Sequence, residues 1–94
     1  MALAFTVVYH NLVVAEDIPA LTSAWRDAIL TAIEEKLMTH PDVYGKPLRR
    51  SLKGYRKLRV GDYRAVFRIS GITIFIIAIL HRSVVYRQLK RRLQ

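Results

Sequence analysis

The stretch Ile72–Leu80 (ITIFIIAIL) limits what this chain can fold into more than any other part of it. Apart from Thr73 it is apolar at odd and even positions alike, so the two-residue alternation of a strand cannot turn one face to water. Such a strand belongs in the middle of a sheet, covered on both sides. A membrane-spanning helix needs about 20 apolar residues, so a run this short is a buried strand rather than a bilayer segment.

The segments before it supply the sheet. Tyr55–Val60 and Tyr63–Ile69 flank Gly61-Asp62, and Ser70-Gly71 precedes Ile72. Two-residue gaps containing glycine signal tight hairpins, so three strands follow one another as a meander. Phe5–Tyr9 is β-branched and aromatic and reads as a first strand, and Asn11–Leu21 is a weak helical stretch that Pro19 interrupts. Trp25, Ile29, Ile33 and Leu37 recur every four residues beside Ala28 and Ala32, which makes one apolar helical stripe. Thr22 or Ser23 can cap it, Glu34, Glu35 and Lys36 lie off the stripe, and His40-Pro41 ends it. Asp42–Pro47 reads as a loop, Leu48–Leu52 leads out of it, and Val84–Leu93 returns to a basic helical pattern. The expected fold is α+β: a strand, two helices, a three-stranded antiparallel meander and a C-terminal helix, with the helices packed on one mostly antiparallel sheet. Residues 1–94 read as a single domain, short enough that a permanent partner would help to stabilise it.

The chain has no cysteine, which excludes a disulfide framework and a thiolate metal site. His10, His40 and His81 are scattered and make no metal motif, so neither metal nor other cofactor is expected. Met1–Phe5 lacks the positive start of a signal peptide, and the expected location is the cytoplasm, with no membrane association. Charge is segregated. Up to Gly45 there are two basic residues (Arg26, Lys36) and six acidic ones, while from Lys46 onward there are fourteen basic residues and one acidic residue, Asp62. The net charge of +9 is thus gathered in one half, where it favours a polyanion, either nucleic acid or an acidic protein segment.

A two-residue turn at Gly61-Asp62 pairs Val60 with Tyr63, Arg59 with Arg64, Lys57 with Val66 and Tyr55 with Arg68. One sheet face then carries Tyr55, Lys57, Arg59, Arg64, Val66 and Arg68, and the other carries Arg56, Leu58, Val60, Tyr63, Ala65 and Phe67 against the Trp25 helix. Like charges directly opposite one another, as at Arg59 and Arg64, destabilise a sheet. A fold that keeps them splays them into water or uses them on an anion. Continued through Ser70-Gly71, the alternation adds Thr73, Phe75, Ile77, Ile79 and His81 to the cationic face. Arginine forks suit phosphate and neighbouring aromatic rings can stack on bases, so this face reads as a nucleic-acid-binding surface.

The residues Leu48-Arg49-x-Ser51-Leu52-x-Gly54-Tyr55, Lys57-Leu58-Arg59-Val60-Gly61-Asp62-Tyr63-Arg64-x-Val66-Phe67-Arg68-Ile69 and His81-Arg82-x-x-Val85-Tyr86-Arg87 resemble the RelE/ParE toxin superfamily. The helical half matches that family only in pattern. The resemblance implies a RelE-like, microbial-ribonuclease-type fold and the toxin of a type II toxin–antitoxin pair. RelE members cut messenger RNA in the ribosomal A site, whereas ParE members poison DNA gyrase; the hairpin and the His-Arg-x-x-Val-Tyr ending favour the RelE side. An inactive module that only binds an antitoxin is a third reading. Implied partners are a cognate acidic antitoxin, the ribosome and mRNA, with operator DNA reached only through the antitoxin complex.

RelE-type cleavage is metal-independent: the ribose 2′-hydroxyl attacks the adjacent phosphate, and the 5′-oxygen leaves. The resemblance makes Arg64, then Arg82, the candidates for stabilising the phosphorane. Lys57 is a candidate base or acid, or else a surface lysine. Tyr86 transfers a proton, stacks on a base or packs on the core. His81 is the natural acid–base group by its chemistry, or a strand-end residue bonded to backbone. Some relatives use a glutamate as base, and this hairpin has none. Lys53, Arg56, Arg59, Arg68, Arg87 and Lys90 are the candidate RNA-binding residues.

Overall fold

A computed structural model describes residues 5–48 and 54–93. The strands are β1 (Thr6–Tyr9), β2 (Lys46–Pro47), β3 (Arg56–Val60), β4 (Tyr63–Ser70) and β5 (Thr73–His81), in one sheet of order β1-β5-β4-β3-β2. The helices are α1 (Ser23–Ala32), α2 (Pro41–Tyr44) and α3 (Val85–Arg92), and a π-helical segment at Val13–Asp17 follows β1. The class is α+β, as expected. Among the described residues no helix is long and apolar enough to cross a membrane.

The apolar stretch has the interior place its composition demands. β5 pairs antiparallel with β4 and parallel with β1, from Thr6↔Thr73 to Tyr9↔Ile76. Parallel neighbours cannot be joined by a tight turn, and the helices and the β3–β4 hairpin fill the connection. One face of the sheet (Leu58, Ala65, Phe67, Ile74, Ile76, Ile79) packs on Val13, Ile29, Ile33 and Leu37. The other face (Val66, Ile77, Ala78, Leu80) packs on Val85 and Leu89 of α3.

Thr22 caps α1, its Oγ1 accepting from the Trp25 N–H at 3.3 Å. At 3.6 residues per turn, a four-residue repeat drifts around an α-helix. Here the helix passes at Ile33–Leu37 into a π turn, in which the Met38 N–H donates to the Ile33 carbonyl five residues back, at 3.2 Å. The wider turn keeps Leu37 in the core with Ile29 and Ile33, all three fully buried.

Three features depart from expectation, the first being that residues 42–44, read as loop, belong to the short helix α2. Lys46 and Pro47, in the segment read as loop, form a short edge strand on Lys57 and Arg56. The pairing of β4 with β5 also shifts between Val66↔Ala78 and Phe67↔Ile76, which leaves Ile77 as the extra residue of a bulge. Beyond the bulge every side chain changes face. Leu80, not Ile79, therefore joins the cationic side, and Ile79 and His81 lie on the α1 side, contrary to the simple alternation.

Bulges leave backbone groups to be satisfied, and β1 ends level with this one. Arg92 Nη1 donates to the Ile77 carbonyl at 3.0 Å, and the Ile79 N–H donates to Asp17 Oδ2 at 2.9 Å. The two side chains then close on one another through a two-pronged ion pair, at 2.7 Å and 3.0 Å. Both are buried, with 7% and 3% of their side chains exposed. This clasp ties α3 to the Val13–Asp17 segment across the sheet.

Candidate nucleic-acid interface

The β3–β4 hairpin is set by its turn. Gly61 has φ +57, a left-handed conformation natural to glycine, and a Cβ there would stand 2.5 Å from the Trp25 ring. The register is the one the turn dictates: Val60↔Tyr63, Arg59↔Arg64, Leu58↔Ala65, Lys57↔Val66, Arg56↔Phe67. Lys57, Arg59 and Arg64 accordingly share a face, beside the surface that α3 covers.

Four of the five catalytic candidates gather there. Lys57 Nζ donates to Tyr86 Oη at 3.3 Å and lies 5.7 Å from the centre of its ring. Tyr86 is half-buried near the start of α3, and its ring also packs on the apolar cluster under that helix. Arg64 turns back on the hairpin, Nη1 donating to the Gly61 and Tyr63 carbonyls at 2.9 Å each. The Arg82 N–H donates to the Asp62 carbonyl at 2.8 Å, which holds the end of β5 against the turn. Arg82 and Asp62 also form a loose ion pair at 3.7 Å, with both side chains more than half exposed, a contact that contributes little to stability.

Arg64 is the centre of this group. Partial burial lowers its pKa from the ordinary value, and the positive charges of Arg59 and Arg82 lower it further, against smaller opposite effects from Asp62 and Tyr86. The guanidinium stays charged at neutral pH, so the arrangement amounts to positive charge concentrated on one small face. An anion there would relieve the repulsion.

His81 stands apart. Its ring lies edge-on to Tyr63, with centroids 5.4 Å apart, and Tyr63 in turn contacts Trp25. Its Nδ1 accepts from the Ser83 backbone N–H at 3.2 Å and sits 2.8 Å from Ser83 Oγ. The bulge in β5 puts this ring on the side of the sheet away from Lys57. Among the residues read as RNA-binding, Arg56 also turns from the cationic face, donating to the Gly45 carbonyl at 3.0 Å where α2 ends. Arg59, Arg68, Arg87 and Lys90 are exposed, the Arg68 guanidinium lying 4.4 Å over the Phe75 ring, and Lys53 lies outside the described residues. Among the described residues no three His, Cys, Asp or Glu side chains converge as a metal site would require.

The hairpin cations also have a neighbour that sequence reasoning missed. Lys57, Leu58, Arg59 and Arg64 form one wall of a groove of about 320 Å³ whose other wall is Lys36, Tyr44 and Lys46. Nothing local in the sequence announces it, because Lys36 looks like a solvated helix residue and the other two like loop residues.

Comparison with known proteins places the chain among toxins. Residues 8–86 match the sequence model of the family described as ParE toxin of type II toxin-antitoxin system, parDE. The chain is similar to Toxin RelE of Mycobacterium tuberculosis, with 34% identity over 84% of this chain and 87% of that protein. It is also similar to Toxin RelG of the same organism, 39% identical over 64% of this chain and 76% of that one. Among solved structures it resembles a chain in the crystal structure of the toxin–antitoxin complex RelBE2 from Mycobacterium tuberculosis. That match has 29% identity and a TM-score of 0.78, and covers 88% of this chain and 97% of the other.

Proposed function

The chain belongs to the RelE/ParE family of toxins of type II toxin–antitoxin systems, and on that premise we propose that it is a metal-independent endoribonuclease that cuts messenger RNA in the ribosomal A site and so stops translation. The observation that carries this reading is the convergence of Lys57, Arg64, Arg82 and Tyr86 on one exposed cationic face.

Each group has a task in transfer of the phosphate to the 2′-oxygen. The 2′-hydroxyl loses its proton as its oxygen bonds to phosphorus, the bond from phosphorus to the 5′-oxygen breaks, and that oxygen gains a proton. The products are a 2′,3′-cyclic phosphate and a 5′-hydroxyl. Lys57 and Tyr86, already joined by a hydrogen bond, are placed to take the first proton and supply the second. Arg64 and Arg82 stabilise the charge that builds on the phosphorane, as cations held close to the reacting group do. Arg59, Arg68, Arg87 and Lys90 hold RNA phosphates around the site. An acidic antitoxin would cover this face, operator DNA would be reached only through that complex, and the working location would be the cytoplasm.

A second reading, poisoning of DNA gyrase, is favoured by the match of residues 8–86 to the ParE toxin family. Primer extension on a translated reporter after a short induction separates the two. Cuts within translated codons, lost in Arg64→Ala, support the ribonuclease. Growth arrest with intact messages and trapped double-strand DNA breaks would assign the chain to gyrase, and no arrest at any expression level would leave an antitoxin-binding module.

A further inference from the structure

The groove between β3 and α2 sets three side chains that the roles above leave unused, Lys36, Tyr44 and Lys46, against the hairpin cations Lys57, Arg59 and Arg64. β2 pairs with β3 only at Lys46↔Lys57 and Pro47↔Arg56, and then turns away through Gly45 and α2. The gap it leaves is lined by Lys36, Tyr44, Lys46, Lys57, Leu58, Arg59 and Arg64, five of them cationic and none acidic. Among the described residues the ion pairs are Arg82–Asp62 and Arg92–Asp17, so none of the five cations is neutralised by one. Lys36 Nζ lies 5.5 Å from the centre of the Tyr44 ring, and Tyr44 is 44% exposed.

The open edge adds a backbone donor. Leu48 donates to the Tyr55 carbonyl at 3.0 Å, so Tyr55, Lys57 and Arg59 turn their backbone groups toward the β2 side. Past the end of β2, pairing parity leaves the Arg59 N–H, together with its carbonyl, on that open side. Phosphate oxygens suit such a lining, and a half-exposed tyrosine offers a flat face to a base. The volume of about 320 Å³ lies at the small end of ligand sites and suits one nucleotide. An acidic peptide added as a strand fits less well, because the free edge is only Leu58–Val60 and a strand addition needs a longer row of backbone groups.

We propose that this groove is a second nucleotide subsite: Lys36, Lys46 and Arg59 hold backbone phosphate, and Tyr44 stacks on a base, one step along the RNA strand from Lys57 and Tyr86. The identity of the strand rests on the ribonuclease reading; the binding itself is tested without cleavage. The probe is a fluorescein-labelled single-stranded RNA hexanucleotide with methylated 2′-oxygens, followed by anisotropy across a salt series. Replacing Lys36 and Lys46 together by alanine weakens binding about tenfold and lowers the slope of log affinity against log salt by about 1.4, the contribution of two phosphate contacts. Tyr44→Ala weakens binding about fivefold or more with the slope kept, while Tyr44→Phe, which retains the ring, stays within about twofold. Affinities and slopes unchanged in the double variant and in Tyr44→Ala would overturn the subsite. So would tighter binding of a hexaglutamate peptide lost in the same variants, because the groove would then be a peptide site. If the groove variants lose the probe but no message is cut in cells, only the cleavage reading fails. If messages are cut and the groove variants bind and cut as wild type does, only the subsite fails.

Discussion

Arg64 illustrates how one residue acquires a role from its surroundings. Opposite Arg59 across the hairpin and close to Arg82, it pushes against two like charges, yet its guanidinium is held by two turn carbonyls and cannot simply swing away. A cation fixed in this way loses little entropy when an anion arrives. Arg64→Ala should lower the rate of message cutting by about 100- to 1,000-fold, the usual effect of removing one preorganised charge from a transition state. Arg64→Lys should recover only part of that rate, since an ammonium cannot reproduce the two-pronged fork. Quantitative primer extension on the induced reporter measures both, and a wild-type rate in Arg64→Ala would remove Arg64 from the mechanism. The residue's type and register were legible beforehand; its tether to the turn was not, because side-chain direction is set by packing rather than by pairing.

At the scale of elements, β5 and α3 depend on one another. The bulge at Ile77 frees backbone groups that Asp17 and Arg92 satisfy, and the same pair pins the last turn of α3. Removing one partner of a buried pair leaves an uncompensated charge, so Arg92→Ala should cost about 3–5 kcal/mol in urea unfolding. Replacing both, Asp17→Leu with Arg92→Met, should be milder than Arg92→Ala, provided that the two backbone groups find water. A loss below about 1 kcal/mol in Arg92→Ala would show that the pair does not hold α3. The hairpin makes a second test at this scale. Gly61→Ala should cost at least about 1–2 kcal/mol, because alanine dislikes the left-handed turn and its Cβ would meet the Trp25 ring. Thermal or urea denaturation measures it, and a neutral substitution would mean that the turn can change type.

For the whole molecule the governing fact is the separation of charge, with acidic residues confined almost entirely to the half before Lys46 and a net charge of +9. Such a body should bind single-stranded RNA with a log–log salt slope of about 3 to 4 in magnitude if about five phosphates along the strand each meet a cation of the basic half. A slope near 1 would reduce the interface to a single contact. Much of this chain can be known before it folds: the interior strand, the Trp25 stripe with its Thr22 cap, the Gly61-Asp62 hairpin and the cationic face of Lys57, Arg59 and Arg64. Period, turn chemistry and pairing parity are local properties, written within a few residues of each position. The rest was invisible for the opposite reason. The bulge at Ile77 moves His81 to the α1 side. Lys36 and Tyr44 meet the hairpin from α1's continuation and from α2, and Arg92, one cation among several on α3, is bound to Asp17 from 75 residues away. Contacts at that separation form only when the layers pack, and their geometry separates the cations that bind within the protein from those left to bind RNA.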